Sequence, residues 1–75
     1  MGEKWNIARA NQLLRAALAE IDELADQLSP ARAEALLDEL EHDISGAFLR
    51  RDMSAVMAHC EEYARRFRAL GEEED

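Results

Sequence analysis

Two histidines and one cysteine are the side chains of this 75-residue chain best suited to metal or nucleophilic chemistry. Glu39 and His42 have the Glu-x-x-His spacing of di-iron helix bundles, in which both side chains project inward toward a metal pair. Leu37 and Leu40, however, occupy the predicted buried face of the same helix, which leaves Glu39 and His42 pointing outward. A metal site at Glu39 and His42 is therefore an alternative hypothesis, which requires a second subunit to cover that face.

His59 and Cys60 are adjacent in the sequence, but adjacent residues of a helix point about 100° apart. They are therefore poorly placed to chelate one ion or to form a nucleophile and its base. Cys60 falls on an apolar stripe, so it is predicted to be a small core residue rather than a reactive thiol. The sequence also lacks a phosphate-binding loop and a dinucleotide fingerprint. We predict a non-enzymatic protein without a cofactor.

Five arginines form the basic clusters and suggest a second alternative, a nucleic-acid-binding regulator that uses its third helix. Glutamates stand four residues before two of these arginines, an order that favours ion pairs within the helix. The net charge of −8 opposes a general grip on phosphates or on anionic membrane. A protein partner is therefore preferred to a nucleic acid, and a basic protein suits the acidic surface. The arginines are Arg50, Arg51, Arg65, Arg66 and Arg68, and the glutamates are Glu61 and Glu62.

The longest amphipathic stretch of the chain begins at Ile7. Its apolar residues recur at alternating spacings of three and four, which places them on one side of a helix, and neither proline nor glycine interrupts them. The spacing predicts a first helix over residues 5–28, with Leu13 and Leu18 widening the apolar face. The alanines of the stripe allow a neighbouring helix to come close. The stripe consists of Ile7, Ala10, Leu14, Ala17, Ile21, Leu24 and Leu28.

Ser29 and Pro30 mark the first break, since serine is a favoured N-cap and proline is favoured at the first helical position. The heptads of the first helix, if extended past Leu28, do not meet the next strong stripe, which has shifted by two residues. A continuous helix would not tolerate that shift, so the chain turns and a second helix is predicted over residues 30–49. Its stripe is Leu37, Leu40, Ile44 and Ala47, with Ala33 before it and Phe48 beside it.

Asp52 is predicted to cap a third helix over residues 53–70, after two arginines that favour the C-terminal end of the second. Gly71 is predicted to end this helix, and residues 71–75 are predicted to be a disordered acidic tail. The apolar stripe of the third helix is Met53, Val56, Cys60, Tyr63, Phe67 and Leu70, with Met57 and Ala64 alongside.

Three helices joined by short turns predict a single domain, a small antiparallel three-helix bundle. The residues that bundle leaves at one end, or off the main stripes, are candidates for an interface, and the small size favours a homodimer. No apolar run approaches the roughly 20 residues that span a bilayer, so a cytoplasmic location is expected. The interface candidates are Trp5, Leu13, Leu49 and Met53.

Overall fold

The computed structural model describes residues 4–73 and folds them into three helices. These are α1 (Ile7–Ala25), α2 (Pro30–Arg50) and α3 (Met53–Glu73), and no strand occurs in this part of the chain. They pack into an elongated bundle of 42 × 18 × 17 Å. The all-α, three-helix prediction is confirmed. Within the same residues, none of the helices has the length and apolar character needed to cross a membrane.

Each helix begins at a residue whose type favours that position. The Asn6 side chain accepts a hydrogen bond from the Arg9 amide, and the Asp52 side chain accepts one from the Ala55 amide, each at 3.1 Å. Ser29 is the N-cap of α2, its backbone is extended, and Pro30 follows as the first helical residue. The predicted roles of Pro30 and Asp52 are confirmed, whereas Ser29 takes the predicted N-cap position without a capping hydrogen bond from its side chain. Side-chain oxygens favour N-caps because the first amides of a helix lack a partner within it.

Replacing Asp52 by alanine is expected to lower the free energy of unfolding by about 1 kcal/mol, because the Ala55 amide loses its acceptor. Chemical denaturation followed by circular dichroism measures the change. Asp52→Asn keeps a side-chain oxygen at the same position and serves as the control, which should remain close to the native chain. Equal stability of Asp52→Ala and the native chain would show that this cap contributes nothing.

The helix ends differ from those predicted. α1 stops at Ala25 rather than at residue 28, since the amides of Gln27 and Leu28 bond to carbonyls three residues back and tighten the chain into a turn. Leu28 nevertheless remains buried. α3 continues through Gly71 to Glu73, so Gly71 does not end the helix as predicted. Residues 74 and 75 of the predicted tail lie outside the described residues.

α2 ends in a Schellman motif formed by the residues that follow it. The Asp52 amide bonds to the Ala47 carbonyl at 3.0 Å, and the Arg51 amide bonds to the Phe48 carbonyl at 3.1 Å. Arg51 has a positive φ of 54°, in the left-handed region where glycine is more usual. Gly46 lies within α2 and does not end it. The turn between α2 and α3 is thereby closed within two residues, Arg51 and Asp52.

α3 is the helix around which the other two pack, since it contacts both α1 and α2 closely while those two barely touch each other. Its largest buried side chains are Tyr63 and Phe67, which are 1% and 0% exposed. α2 turns a stripe to the core that differs from the predicted one, because Leu36 is buried and Leu37 only partly so. The buried residues of α2 are Ala33, Leu36, Leu40, Ile44 and Ala47.

Small side chains bring α1 and α3 together. Ala10 of α1 and Ala64 of α3 are buried, and the Cys60 thiol lies 4.0 Å from the Leu13 carbonyl oxygen, within reach of a weak S–H donor. Interaxial distance depends on the side chains at the contact, so alanines permit the backbones to approach. α3 is thus the helix that packs closely on α1, whereas α1 and α2 barely touch each other.

Candidate interaction surfaces

An apolar patch lies where the start of α1 meets the end of α2, and we call its four residues, Trp5, Ile7, Phe48 and Leu49, the end patch. The Trp5 and Phe48 rings meet edge to face, with centroids 5.4 Å apart and planes at 85°. Ile7 is 59% exposed and Leu49 is 85% exposed. These four side chains and Arg51 line one surface hollow. Large exposed apolar side chains of this kind, when contiguous, often mark protein interfaces.

The four predicted interface residues differ in how far the fold exposes them. Trp5 and Leu49 both belong to the end patch, although Trp5 precedes α1 instead of lying within it. Leu13 is partly buried and packs against the core, and Met53 is a core residue at 2% exposure. Met53 therefore offers no surface to a partner in the folded chain.

Sequence reasoning missed two members of the end patch, Ile7 and Phe48. The sequence pattern places Ile7 on the apolar stripe of the first helix and Phe48 beside that of the second. In the fold, Ile7 begins α1 at a point where it remains 59% exposed. The signal available in the sequence was the distance of only two residues between Ile7 and Trp5.

A second apolar surface is the trough between α1 and α2, which we call the α1/α2 groove. Leu14 and Leu18 form one wall, and side chains of α2 form the other. The volume of the groove is about 490 Å³. One edge is acidic, because exposed carboxylates recur along α2 beside the apolar wall. The α2 side is lined by Glu34, Leu37, Asp38, Leu40, Glu41, Ile44 and Ser45.

The Glu39 and His42 pair is exposed, as the outward-facing prediction requires. Glu39 accepts a hydrogen bond from the Arg66 guanidinium at 3.3 Å, so its carboxylate is already engaged across the α2–α3 interface. In residues 4–73, no three histidine, cysteine, aspartate or glutamate side chains cluster closely enough to hold a metal ion. The geometry gives the metal-binding hypothesis no support.

Two of the α3 arginines are used within the molecule. Arg66 lies 4.9 Å above the Tyr63 ring as well as pairing with Glu39, and Arg68 pairs with Glu20 of α1. The predicted pair of Arg66 with Glu62 is replaced by this contact to α2, and Glu62 instead lies 3.6 Å from the His59 ring nitrogen Nδ1. The positive charges of Arg66 and Arg68 are thus partly neutralised by carboxylates of the neighbouring helices, which weakens the nucleic-acid hypothesis.

A buried phenol joins α3 to α2. The Tyr63 hydroxyl donates to the Asp43 carboxylate at 2.5 Å. Burial, and after it this hydrogen bond, raises the pKa of Tyr63 to about 12. The same hydrogen bond lowers the pKa of Asp43, an effect that partial desolvation opposes and the charges of His59, His42 and Arg66 reinforce. The pair therefore favours a neutral phenol and an ionised carboxylate.

Cys60 is buried, as predicted from its place on the α3 stripe. Burial raises the pKa of its thiol, and the neighbouring Glu61 charge adds to the effect. Since the thiolate is the nucleophilic form, a raised pKa describes a structural cysteine rather than a reactive one.

Comparison of the chain with protein-family models, with curated proteins and with solved structures finds no match.

Proposed function

We propose that this chain is a small, non-enzymatic protein–protein interaction module that self-associates through the end patch. The observation that carries the proposal is the exposure of Leu49 and Ile7 beside the Trp5–Phe48 pair. Exposing two large aliphatic side chains next to two aromatic rings leaves apolar area in water, and a partner that covers it gains roughly 25 cal/mol per Å². Such a patch contrasts with the composition of the chain, in which charged residues make up 35%.

A second copy of the chain is the proposed occupant of the end patch. In a two-fold dimer each copy contributes the same patch, so a self-complementary apolar surface is buried twice. Four side chains cover much less than the roughly 800 Å² per partner of a standard interface, so the dimer should be weak and dependent on concentration. Arg51 borders the patch, and its counterpart would approach it in the dimer. Added salt should therefore screen this repulsion and strengthen self-association.

Leu49→Asp is expected to abolish self-association, because it places a charge at the most exposed apolar position of the patch. Light-scattering mass across a dilution series should exceed 8.5 kDa at high concentration for the native chain and remain at 8.5 kDa for the variant. Met57→Asp makes the same change of charge at an exposed methionine outside the patch and should dimerise normally. A mass of 8.5 kDa for the native chain at every concentration would overturn the proposal.

We further propose that the helices run up, down and up. Two contacts support opposite directions for α2 and α3, since Tyr63 meets Asp43 while the later Arg66 meets the earlier Glu39. Two others support a common direction for α1 and α3. Cys60 lies against Leu13, and the later pair, Arg68 and Glu20, are in contact further along both helices.

A further inference from the structure

The α1/α2 groove exists because α1 and α2 each pack on α3 and hardly on each other. Leu14 and Leu18 on one side and Leu37 on the other are only partly buried, so each keeps apolar surface facing the trough. Leu40 and Ile44 are buried residues that form its floor on the α2 side. The α1/α2 groove is therefore an unfilled apolar surface that is separate from the end patch.

The length and shape of the groove suit a helix. Its lining on α2 runs from Glu34 to Ser45, about 16 Å at 1.5 Å per residue, or roughly three helical turns. A trough between two helices accepts the side-chain ridges of another helix. Such a helix presents apolar anchors at spacings of three and four residues, the pattern of helix-in-groove recognition.

The acidic edge determines the charge of the partner. Glu34, Asp38 and Glu41 follow one another at spacings of four and three, so they share one side of α2 along the groove. All three are exposed, and no basic side chain lines the groove. Within residues 4–73 none of the three carboxylates pairs with a basic side chain. Glu34 and Asp38 repel each other at an i,i+4 spacing, which a cation placed between them would relieve.

From the apolar lining and this acidic edge together, we propose that the α1/α2 groove binds a basic amphipathic helix of a partner protein. Its leucine-like residues fill the groove, and its lysines or arginines face Glu34, Asp38 and Glu41. A second copy of this chain does not fit the site symmetrically, because a two-fold axis would bring two acidic edges together. The site does not depend on self-association, since none of its residues belongs to the end patch.

The test uses a synthetic helical peptide of about 18 residues, with leucines at heptad spacing and lysines flanking them. Calorimetric titration into the full chain should show binding that weakens as salt is added, the opposite of the trend expected for self-association. Replacing Glu34, Asp38 and Glu41 by Gln, Asn and Gln should weaken binding by about tenfold or more. The matched control neutralises Glu23, Asp26 and Glu61, which lie outside the groove, and should change affinity by less than about twofold.

A second measurement locates the peptide. Amide resonances of Leu14, Leu18 and Leu37 should shift on titration, while the Trp5 indole resonance should not. Leu37→Ser should also weaken binding, because it removes an apolar wall that is only partly buried, and a peptide with glutamates in place of the lysines should not bind.

Several results would overturn the proposal. Equal losses of affinity in the two triple variants would show attraction by net charge alone. Undiminished binding to Leu37→Ser, or the absence of binding by the native chain, would remove the groove as the site. Loss of self-association on neutralising Glu34, Asp38 and Glu41 would assign the groove to a second copy instead. These outcomes are distinct from failure of the end-patch proposal, which the Leu49→Asp variant tests alone.

Discussion

Replacing Phe67 by alanine is expected to lower the free energy of unfolding by about 3–5 kcal/mol, the largest effect of any substitution considered for this protein. Phe67 is completely buried in α3, the helix against which both others pack. The loss combines the missing transfer energy of the ring with the cavity left behind. A domain of this size has a total stability of roughly 4–11 kcal/mol, so the variant should be close to unfolded at room temperature.

Urea denaturation followed by circular dichroism measures the Phe67→Ala effect. Leu49→Ala is the matched control at protein concentrations low enough for the chain to be monomeric, since it also shortens a large apolar residue but at 85% exposure. It should there change stability by less than about 0.5 kcal/mol. Similar losses in the two variants would mean that α3 does not hold the core as described.

The stability of the chain is expected to fall between pH 10 and pH 12 through the ionisation of Tyr63. The folded pKa of this phenol is about 12, above the ordinary value of 10.0. A group whose folded pKa is raised contributes stability that is fully present below its unfolded pKa and is lost as pH rises through its folded pKa. A shift of this size corresponds to at most roughly 2–3 kcal/mol, and solvent near the partly buried hydroxyl group reduces it. The tyrosinate absorption band measures the ionisation of Tyr63 directly, because the chain has one tyrosine.

Tyr63→Phe provides the control for the alkaline effect, since it fills the same space but cannot ionise. The stability difference between the native chain and this variant should vary between pH 10 and pH 12 and be constant across the neutral range, down to the acid pH at which Asp43 protonates. Asp43→Asn should lower the pKa of Tyr63 only in part, because it removes the charge of Asp43 and weakens the hydrogen bond but leaves burial, the largest single cause of the shift. A tyrosinate transition near pH 10 in the native folded chain would show that Tyr63 is not buried against Asp43.

At acid pH the dependence of stability on pH has the opposite sign, because it comes from Asp43, whose pKa is lowered. Because its hydrogen bond with Tyr63 lowers the pKa of Asp43 below 3.8, the carboxylate contributes stability above that pH, and this contribution is lost as pH falls through the lowered pKa. The Tyr63–Asp43 pair therefore stabilises the α2–α3 contact across the neutral range.

The helices could be predicted from local chemistry. Asp52 caps the start of α3 through its side chain, and the ring of Pro30 suits the first turn of α2, whatever the chain packs against. The shift of the apolar phase after Leu28 is enough to predict a break between α1 and α2. The helix ends were less predictable. Gly71 is of a type that often ends helices, yet α3 continues through it. Arg51 adopts the left-handed conformation in a turn where the sequence has no glycine.

The candidate sites were predicted only in part. Trp5 and Leu49 lie off the apolar stripes, and this position was enough to predict that both belong to an interface candidate. Both are found in the end patch. Met53 shares the same region of the chain but faces inward, because α3 presents it to the core. The Tyr63–Asp43 hydrogen bond joins residues twenty positions apart on different helices, and no spacing rule anticipates it.

Local periodicity is sufficient to predict that this protein consists of three amphipathic helices and which side of each is broadly apolar. The most regular heptads belong to α1, and from the sequence this helix looks like the centre of the packing. In the fold, however, α3 is the helix that both others contact. The choice between Leu36 and Leu37 as the core residue of α2, and the opening of the α1/α2 groove, were likewise decided in three dimensions. The physical reason is that periodicity specifies the direction of an apolar face, whereas side-chain volumes decide which neighbour covers it. Small buried side chains allow α1 and α3 to pack closely, and the α1/α2 groove remains open.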